Sequence, residues 1–237
     1  MRAAYERLTS ILSDPDECGM SALDCIYEIM ENEVQRRDSN ALARRLKEAK
    51  ICLPNARPDT IDFSIERGLD KNKIDALLTM RWMEEHQNII ITGAAGCGKT
   101  FLACALVNQA CIKGRTARVV RVPLLLNQMA ASHQIVETYF KKLKEMKTID
   151  LLVLDDWGIG QLDARSRQDL QEIINERYMY ASTIVTSVLP VNKWSEYIND
   201  TTYSDAILDR LVSVSHRVEL NGASVRQMKE YGAVLKE

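Results

Sequence analysis

Residues 93–100 read Gly-Ala-Ala-Gly-Cys-Gly-Lys-Thr, with the spacing G-x-x-x-x-G-K-T that is typical of phosphate-binding loops. Glycines let backbone N–H groups surround a phosphate without an obstructing side chain. In such a loop the Lys99 ammonium group reaches the β- and γ-phosphates of a nucleotide, and the Thr100 hydroxyl binds Mg²⁺. An apolar run at 89–92 precedes the loop and helical periodicity follows it, which argues against the alternative of a chance glycine-rich turn. The predicted nucleotide contacts are Gly93, Ala94, Ala95, Gly96, Cys97, Gly98, Lys99, Thr100 and Phe101.

Two consecutive carboxylates follow a second apolar run, residues 151–154. A continuous apolar run of this length predicts a strand that is buried on both faces. In nucleoside triphosphatases with this loop, an acid at the end of such a strand holds Mg²⁺. This is the role expected of Asp155. Asp156 is then placed to orient the attacking water or to accept its proton. The alternative is an Asp-Asp turn after a buried strand.

Two further segments carry candidate site residues. The predicted strand 182–187 ends in Thr186 and Ser187, whose hydroxyls would meet the γ-phosphate if this strand lay between the loop strand and the acid strand. The amphipathic segment 205–211 contains Arg210 near its end. An arginine offered to a neighbouring subunit's nucleotide stabilises transition-state charge. From spacing alone, an exposed arginine at a helix end is the more ordinary interpretation.

The 237 residues suggest one large domain, or a medium domain and a small one. Residues 1–55 look wholly helical, with a first helix around 23–34 and a second that starts near Asp38. Pro54 and Pro58 mark the boundary between a helical domain, 1–57, and a second domain, 58–237. Predicted strands at 89–92, 117–122, 151–155, 182–187 and 215–220 alternate with helices, which predicts a parallel sheet. Phe63 and Ile65 either line an adenine pocket or belong to the core.

The bulk properties exclude several classes of protein. The net charge of −2 excludes a uniformly basic nucleic-acid coat, so any DNA contact must come from local patches. No run of 18 apolar residues and no apolar signal core is present, which predicts no membrane partner and a cytoplasmic location. The six cysteines form no C-x-x-C pair and are expected to be reduced core thiols.

Two clusters of basic residues are candidates for contact with DNA phosphates. Either cluster is equally well explained as a solvated helix face, because charge runs usually are. The residues concerned are Arg36, Arg37, Arg44, Arg45, Lys47 and Lys50 in the first cluster, and Lys141, Lys142, Lys144 and Lys147 in the second.

The order of these motifs resembles that of AAA+ ATPases, and several segments are similar to IstB-like transposition helper ATPases of bacterial insertion sequences. The similarity covers nearly the whole chain from about residue 20, and its most specific elements are Asp-Asp-Trp-Gly at 155–158 and Ala-Ile-Leu-Asp-Arg-Leu at 206–211. Further similar segments are 61–69, 85–88, 101–106, 186–190 with Trp194, and 224–226. DnaC-type helicase loaders are the broader relatives.

The resemblance implies a fold, a function and a set of roles. The fold is α/β, a P-loop AAA+ three-layer αβα domain with a parallel five-stranded sheet and a minimal C-terminal lid, preceded by a small all-helical domain for oligomerisation or DNA contact. The function is that of an ATP-dependent regulator that oligomerises on duplex DNA and recruits and stimulates a transposase, with ATP and Mg²⁺ as cofactors. The implied roles are Mg²⁺ binding for Asp155, the catalytic acid for Asp156, first sensor for Thr186 or Ser187, arginine finger for Arg210 and second sensor for Arg226.

Two departures from the family pattern qualify these roles. Asp156 stands where many AAA+ proteins have glutamate, and the shorter side chain is consistent with a slow, switch-like ATPase. Val188 stands where related chains place an amide side chain, so the first sensor stays unsettled. Three alternatives remain from the residues: a DnaC-type loader acting at replication forks, a small-molecule kinase, and a nucleotide-gated binding module that does not hydrolyse ATP. The paired acids disfavour the kinase.

Overall fold

Five parallel strands form one sheet in the order β2-β3-β4-β1-β5, which confirms the predicted parallel five-stranded sheet. The strands of this computed structural model are β1 (Asn88–Gly93), β2 (Ala117–Arg121), β3 (Leu151–Trp157), β4 (Ser182–Ser187) and β5 (Ser215–Leu220). β4 pairs with β1 on one side and β3 on the other, in the register Ile91↔Thr186 and Leu154↔Val185. The expected neighbourhood of the loop strand, the acid strand and the strand with the hydroxyl tip is therefore present.

Helices connect the strands, as a parallel sheet requires. The structure describes residues 5, 6, 8–10, 22–222 and 224. The α-helices within 22–222 are α1 (Ala22–Glu48), α2 (Lys71–Leu78), α3 (Arg81–Glu84), α4 (Lys99–Ile112), α5 (Val122–Ser132), α6 (Val136–Thr148), α7 (Ala164–Arg177), α8 (Trp194–Ile198) and α9 (Thr201–Val212). No helix in these ranges combines the length and the hydropathy needed to cross a lipid bilayer.

The central strands β1, β3 and β4 carry the core. Their burial is continuous rather than alternating, because helices cover both faces of the sheet. The edge strand β5 instead alternates buried and exposed residues over its second half. The most buried side chains of the central strands are Ile89, Ile90, Ile91, Leu151, Leu152, Leu154, Ile184 and Val185.

The prediction for residues 1–55 was wrong in two respects. α1 is one continuous helix of 27 residues where two helices were expected. Arg37 pairs with Glu33 one turn before it, and such pairs stabilise a helix across the weak helix formers at 38–40. The helix also ends at Glu48, because Lys50 has a left-handed backbone with φ 51°. Residues 49–57 are not helical.

The chain divides into two compact units, Met1–Lys47 and Glu48–Glu237. The functional division at residue 57 stays a prediction. The expectation of core thiols was wrong for Cys52; Cys25 is half-buried, and Cys18 lies outside the described residues. Cys97, Cys104 and Cys111 are buried, but Cys52 is exposed. Its Sγ atom lies 3.7 Å from that of Cys104 on α4.

Candidate functional site

The glycine-rich loop joins the end of β1 to the start of α4. Gly98 is the residue before the helix, and its φ of 100° is a backbone conformation that favours glycine. At Gly93 a Cβ atom would overlap the carbonyl oxygen of Leu220 on the neighbouring strand β5. These two positions therefore require glycine for backbone reasons, and the loop keeps its N–H groups free of side chains.

Lys99 is buried at the start of α4 although it carries a charge. Its Nζ atom donates hydrogen bonds to the carbonyl oxygens of Gly93 at 2.8 Å and Ala94 at 2.7 Å. The side chain therefore folds back over the loop, and its ammonium group lies where the loop backbone begins to curve. A second anion-attracting feature, the N-terminus of α4, lies at the same point.

Three oxygen-bearing side chains from three elements meet behind the loop. The Thr100 hydroxyl on α4 donates to the Asp155 carboxylate at 3.0 Å, and the Thr186 hydroxyl on β4 donates to the same carboxylate. Asp155 is buried, with 4% of its surface exposed. The three predicted site residues Thr100, Asp155 and Thr186 thus lie together, because β3 and β4 are parallel and end at the same edge of the sheet.

This donor set fits Mg²⁺. A hydroxyl and a carboxylate are hard oxygen ligands, and protein sites for Mg²⁺ commonly supply one or two such groups and leave the rest to phosphates and water. Within residues 22–222, no cluster of three or more His, Cys, Asp or Glu side chains forms an all-protein metal site. Thr100 and Asp155 are the residues that would hold the ion.

Asp156 has an unusual backbone and an unexpected partner. Its φ is +62°, rare for a residue with a side chain, and the β3–β4 register shifts between Leu154 and Trp157. One carboxylate oxygen accepts a hydrogen bond of 2.6 Å from Nε of Arg121, the last residue of β2. The bond to Asp156 raises the pKa of the Arg121 guanidinium. The arrangement turns the Asp156 carboxylate towards the exposed edge of the sheet.

Sequence reasoning missed Arg121. The residue stands opposite Asp155 in the β2–β3 register, so its position follows from the same edge-of-sheet argument that identified Thr186. The signal was present, since a polar side chain ends the predicted strand next to the acid strand. The strand order, which was not established from the sequence, was needed to see it.

The two candidate sensors on β4 differ in their contacts. Thr186 contacts Asp155, and its hydroxyl also accepts a weak bond from the backbone N–H of Asp156 at 3.3 Å. Ser187 instead donates to the carbonyl oxygen of Trp157 at 2.8 Å and accepts from the backbone N–H of Leu189. Adjacent residues of a strand point to opposite faces, which explains the difference. Val188 is exposed, and Arg226 lies outside the described residues.

A cavity of about 270 Å³ adjoins the loop, and neither Asp155 nor Asp156 is among its lining residues. It is lined on one side by Gly96, Gly98, Lys99, Thr100 and Phe101, and on the other by Leu53, Thr60, Asp62, Ile65 and Arg67. Ile65 and Phe63 were each expected either in an adenine pocket or in the core. Ile65 lines this cavity, whereas Phe63 is not among the lining residues. Arg67 was not singled out from the sequence.

Arg210 lies at the opposite end of the sheet. It is in the last turn of α9, where its Nη1 atom donates to the carbonyl oxygen of Ala206 and its guanidinium carbon lies 5.7 Å from the ring centre of Tyr178. Asn88, the first residue of β1, donates from its amide to the Arg210 carbonyl oxygen at 3.1 Å. The backbone of Asn88, beside Arg210, is five residue steps along β1 from Gly93 at the start of the loop, a distance of about 17 Å at ~3.3 Å per step. An arginine side chain does not span that distance.

The predicted DNA-contacting residues are partly engaged within the protein. Arg36 and Arg37 both pair with Glu33, and Lys142 donates to the carbonyl oxygen of Gln128. Lys141 and Lys144 are exposed on α6. Arg44, Lys47 and Lys50 are also exposed, and Arg45 is partly exposed. The predicted DNA contacts that are directed to solvent are therefore Lys141 and Lys144 on α6 and Arg44, Lys47 and Lys50 in the first cluster.

Comparison with known proteins identifies close relatives of the chain. The profile of the family described as IstB-like ATP binding protein matches residues 1–233. An insertion sequence ATP-binding protein of Sinorhizobium fredii is 38% identical over 219 residues, which cover 92% of this chain and 89% of the relative. An ATP-binding protein in an insertion sequence of Mycobacterium tuberculosis is 29% identical over 211 residues, 89% of this chain and 83% of the relative.

Solved structures resemble the fold at lower identity. The crystal structure of the DnaC helicase loader matches with a TM-score of 0.59 and 19% identity, covering 70% of this chain and 97% of the loader. At this identity the likeness shows the fold alone. The arrangement of strands and helices is thus shared with proteins whose sequences have diverged widely.

Proposed function

This chain belongs to the family of IstB-like ATP binding proteins, and from that membership we propose that it is an ATPase which assembles on duplex DNA when it holds ATP and assists a transposase. Its α/β fold is that of the AAA+ proteins. The proposed cofactors are ATP and Mg²⁺, and the proposed partners are duplex DNA, a transposase and further copies of the same chain. The proposed location is the cytoplasm.

One observation carries the proposal of assembly. Arg210 lies about 17 Å from the glycine-rich loop of its own chain, by the length of β1. An arginine that stabilises charge on a transferred phosphoryl group must touch that group. Arg210 therefore acts on the nucleotide of a neighbouring subunit, and the complete site forms only between two copies.

Each residue of the site has a physical role in hydrolysis. The loop N–H groups and Lys99 bind the β- and γ-phosphates and offset their charge. Mg²⁺, when bound through Thr100 and Asp155, neutralises charge that develops on the phosphate oxygens. Asp156 accepts a hydrogen bond from the attacking water and orients it. Thr186 holds Asp155 in place, and Arg210 of the adjoining copy stabilises the transition state.

The DNA and transposase parts of the proposal rest on the relatives and on local charge. Relatives that align with most of this chain are named as putative ATP-binding proteins of insertion sequences. The net charge of −2 leaves DNA binding to patches, and Lys141 and Lys144 provide an exposed basic patch on α6. A helicase loader is the second candidate, favoured by the fold likeness to DnaC. The sequence relatives favour the insertion-sequence role.

The test is sedimentation of the full chain with duplex DNA, with and without a non-hydrolysable ATP analogue. We expect ATP-dependent assembly in the wild type and its loss in Lys99→Ala, because the loop then lacks the side chain that offsets phosphate charge. Lys113→Ala is the matched control, since Lys113 is exposed at the far end of the same helix. Assembly of Lys99→Ala that depends on ATP as in the wild type would contradict the nucleotide switch.

The same experiment at several salt concentrations tests the DNA patch. Replacing Lys141, Lys142 and Lys144 by glutamine is expected to flatten the salt dependence of binding, because each phosphate contact contributes about 0.9 to the logarithmic slope. Replacing Lys71, Lys73 and Lys113, which are exposed elsewhere, is the control. A preference for single-stranded DNA in the wild type would favour the loader.

A further inference from the structure

Arg67 is a buried cation beside the glycine-rich loop, and no acidic side chain of the described residues forms an ion pair with it. Only 5% of its surface is exposed. Nη2 donates to the backbone carbonyl of Asp62 at 2.9 Å, and Nη1 reaches the carbonyl of Cys97 only at 3.4 Å. The Nε–H group is buried and has no hydrogen-bond partner among the described residues. Among the described residues, the hydrogen-bond acceptors of this guanidinium are these two backbone carbonyls.

A second buried arginine shows that this arrangement is not simply how the fold accommodates a guanidinium. Arg177, at the other end of the sheet, is 2% exposed, and all three of its nitrogens donate to protein oxygens. Its acceptors are the carbonyls of Met146, Ile149 and Ser182 and the hydroxyl of Thr183. Burying a charge without a compensating anion or a full set of hydrogen bonds is unfavourable. Arg67 is therefore suited to an anion that the described residues do not provide.

The position of Arg67 identifies that anion. Its side chain and the loop line the same cavity, and Nη1 lies 2.5 Å from where a Cβ on Gly98 would be. The cavity also contains the first residues of α4, up to Phe101, but neither of the acids Asp155 and Asp156. In nucleotide sites of this type the acids and the metal mark the γ-phosphate end. Arg67 consequently lies towards the phosphates nearest the nucleoside.

We propose that Arg67 binds the α- or β-phosphate of the nucleotide, so that it contacts ATP and ADP alike. The proposal rests on the proposed function, because it takes the glycine-rich loop to be a nucleotide site. A guanidinium presents a planar fork that matches two phosphate oxygens, and its open Nε–H adds a donor on the same edge. The site then holds nucleoside di- and triphosphates through two cations, Lys99 on one side and Arg67 on the other.

This contact separates two properties of the nucleotide switch. Asp156 lies at the part of the site that distinguishes ATP from ADP, because only ATP has a γ-phosphate, whereas Lys99 reaches the β- and γ-phosphates. Arg67 lies at the part that both nucleotides share. Its contact therefore keeps ADP bound after hydrolysis, and it affects the affinity of the site without affecting the choice between the two nucleotides.

The test is calorimetric titration of the full chain with ADP and with a non-hydrolysable ATP analogue, and competition by adenosine. In Arg67→Gln we expect both nucleotides to bind more weakly by the same factor, on the order of 10- to 100-fold, which is the usual effect of losing a hydrogen bond to a charged group. Adenosine affinity should not change, because adenosine has no phosphate. Arg57→Gln is the matched control, since Arg57 is exposed in the same segment and pairs with Asp59.

Three outcomes overturn the proposal. Unchanged ADP affinity in Arg67→Gln shows that the side chain only holds the segment 61–67 in place. A loss confined to the ATP analogue moves the contact to the γ-phosphate, and an equal loss for adenosine shows an indirect effect on the cavity. If Arg67→Gln does not fold, Arg67→Lys is compared instead, and unchanged ADP affinity in that variant overturns the proposal. If the wild type binds neither nucleotide, the proposed function fails, a result distinct from all of these.

Discussion

Charged side chains at the two ends of the central sheet differ in how fully the protein supplies their hydrogen-bond partners. At the carboxyl ends of the strands, the charged side chains have partners that a ligand could replace: Lys99 bonds two loop carbonyls, Asp156 pairs with Arg121, and Asp155 accepts from two hydroxyls. At the amino ends, Arg177 is fully buried and bonded through every nitrogen. Burial lowers the pKa of Arg177 to about 9, so it is still charged at neutral pH.

The contrast teaches which charges serve the fold and which serve a ligand. A guanidinium whose donors the chain satisfies is a structural crosslink, here between α6, α7 and β4. Groups with partners that a phosphate or a water can replace remain available for chemistry. Arg210 tests this distinction, because it lies at the amino ends of the strands, where Arg177 is also found, but its side chain makes a single hydrogen bond among the described residues, to its own helix.

The largest expected effect is on turnover in Arg210→Ala. We expect ATP hydrolysis in the assembled protein to fall by about 10³-fold, the lower range for removal of an arginine that stabilises phosphoryl transfer. Mixing Arg210→Ala with Lys99→Ala should restore activity, because one variant contributes an intact loop and the other an intact arginine. Steady-state ATPase assays on the separate and mixed variants measure this.

Arg165→Ala is the control for that experiment, since Arg165 is exposed on α7. It should hydrolyse ATP as the wild type does. Mixed variants that stay inactive while still assembling would show that Arg210 does not act between subunits. Arg210 would then be a structural residue like Arg177, and the distinction between the two arginines would fail.

The second prediction concerns stability. Arg177→Met removes a crosslink and leaves the carbonyls of Met146, Ile149 and Ser182 buried without donors. We expect the free energy of unfolding to fall by about 3 kcal/mol, since each buried unsatisfied group costs roughly 1–3 kcal/mol and the site relaxes in part. Urea unfolding measures the change, and ADP affinity of the folded protein should be unaltered.

Lys147→Met is the matched control for Arg177→Met. Lys147 pairs with Glu176 on the same two helices, α6 and α7, but the pair is exposed to solvent. Exposed pairs contribute little, so the urea midpoint should hardly move. Equal destabilisation by the two substitutions would remove the distinction between buried crosslink and surface pair.

The sequence predicted those parts of the site that are local in the chain. The loop and Lys99, Thr100 and Phe101 are contiguous, and Asp155 follows a run whose burial is evident from its composition. Thr186 was reachable because parallel strands end at the same edge of a sheet. Local pattern, together with one rule of topology, was therefore sufficient to predict that Thr100, Asp155 and Thr186 meet at one edge of the sheet.

The residues that were missed have partners far away in the chain. Arg67 lies against Cys97, 30 positions later, and Arg121 pairs with Asp156, 35 positions later. Asn88 bonds the carbonyl of Arg210 across 122 positions. The spacing of apolar residues predicts which face of a helix or strand is buried. It does not predict which distant residue a polar side chain on that element contacts. The continuous helix α1 was missed for a related reason, because weak helix formers at its centre are compensated by neighbours one turn away.

The smallest expected effect is on the pair between Arg121 and Asp156. A carboxylate that accepts a hydrogen bond from a guanidinium is a weaker proton acceptor and is turned away from other partners. Arg121→Ala should therefore raise the basal ATPase rate, by about two- to fivefold because the pair is partly exposed. The basal ATPase rate of Arg121→Gln, which keeps a neutral hydrogen-bond donor, should lie between the rates of Arg121→Ala and the wild type.

A double-mutant cycle decides whether the effect passes through Asp156. If Arg121 acts by occupying the carboxylate, Arg121→Ala must have no effect in an Asp156→Asn background, because that background has no carboxylate to release. A rate increase that persists there would place the action of Arg121 elsewhere, and a rate decrease in Arg121→Ala alone would mean that the guanidinium helps to orient Asp156. In the expected case, the pair at the ligand end is a replaceable contact that restrains the acid, whereas the bonds of Arg177 hold elements together whether or not a nucleotide is bound.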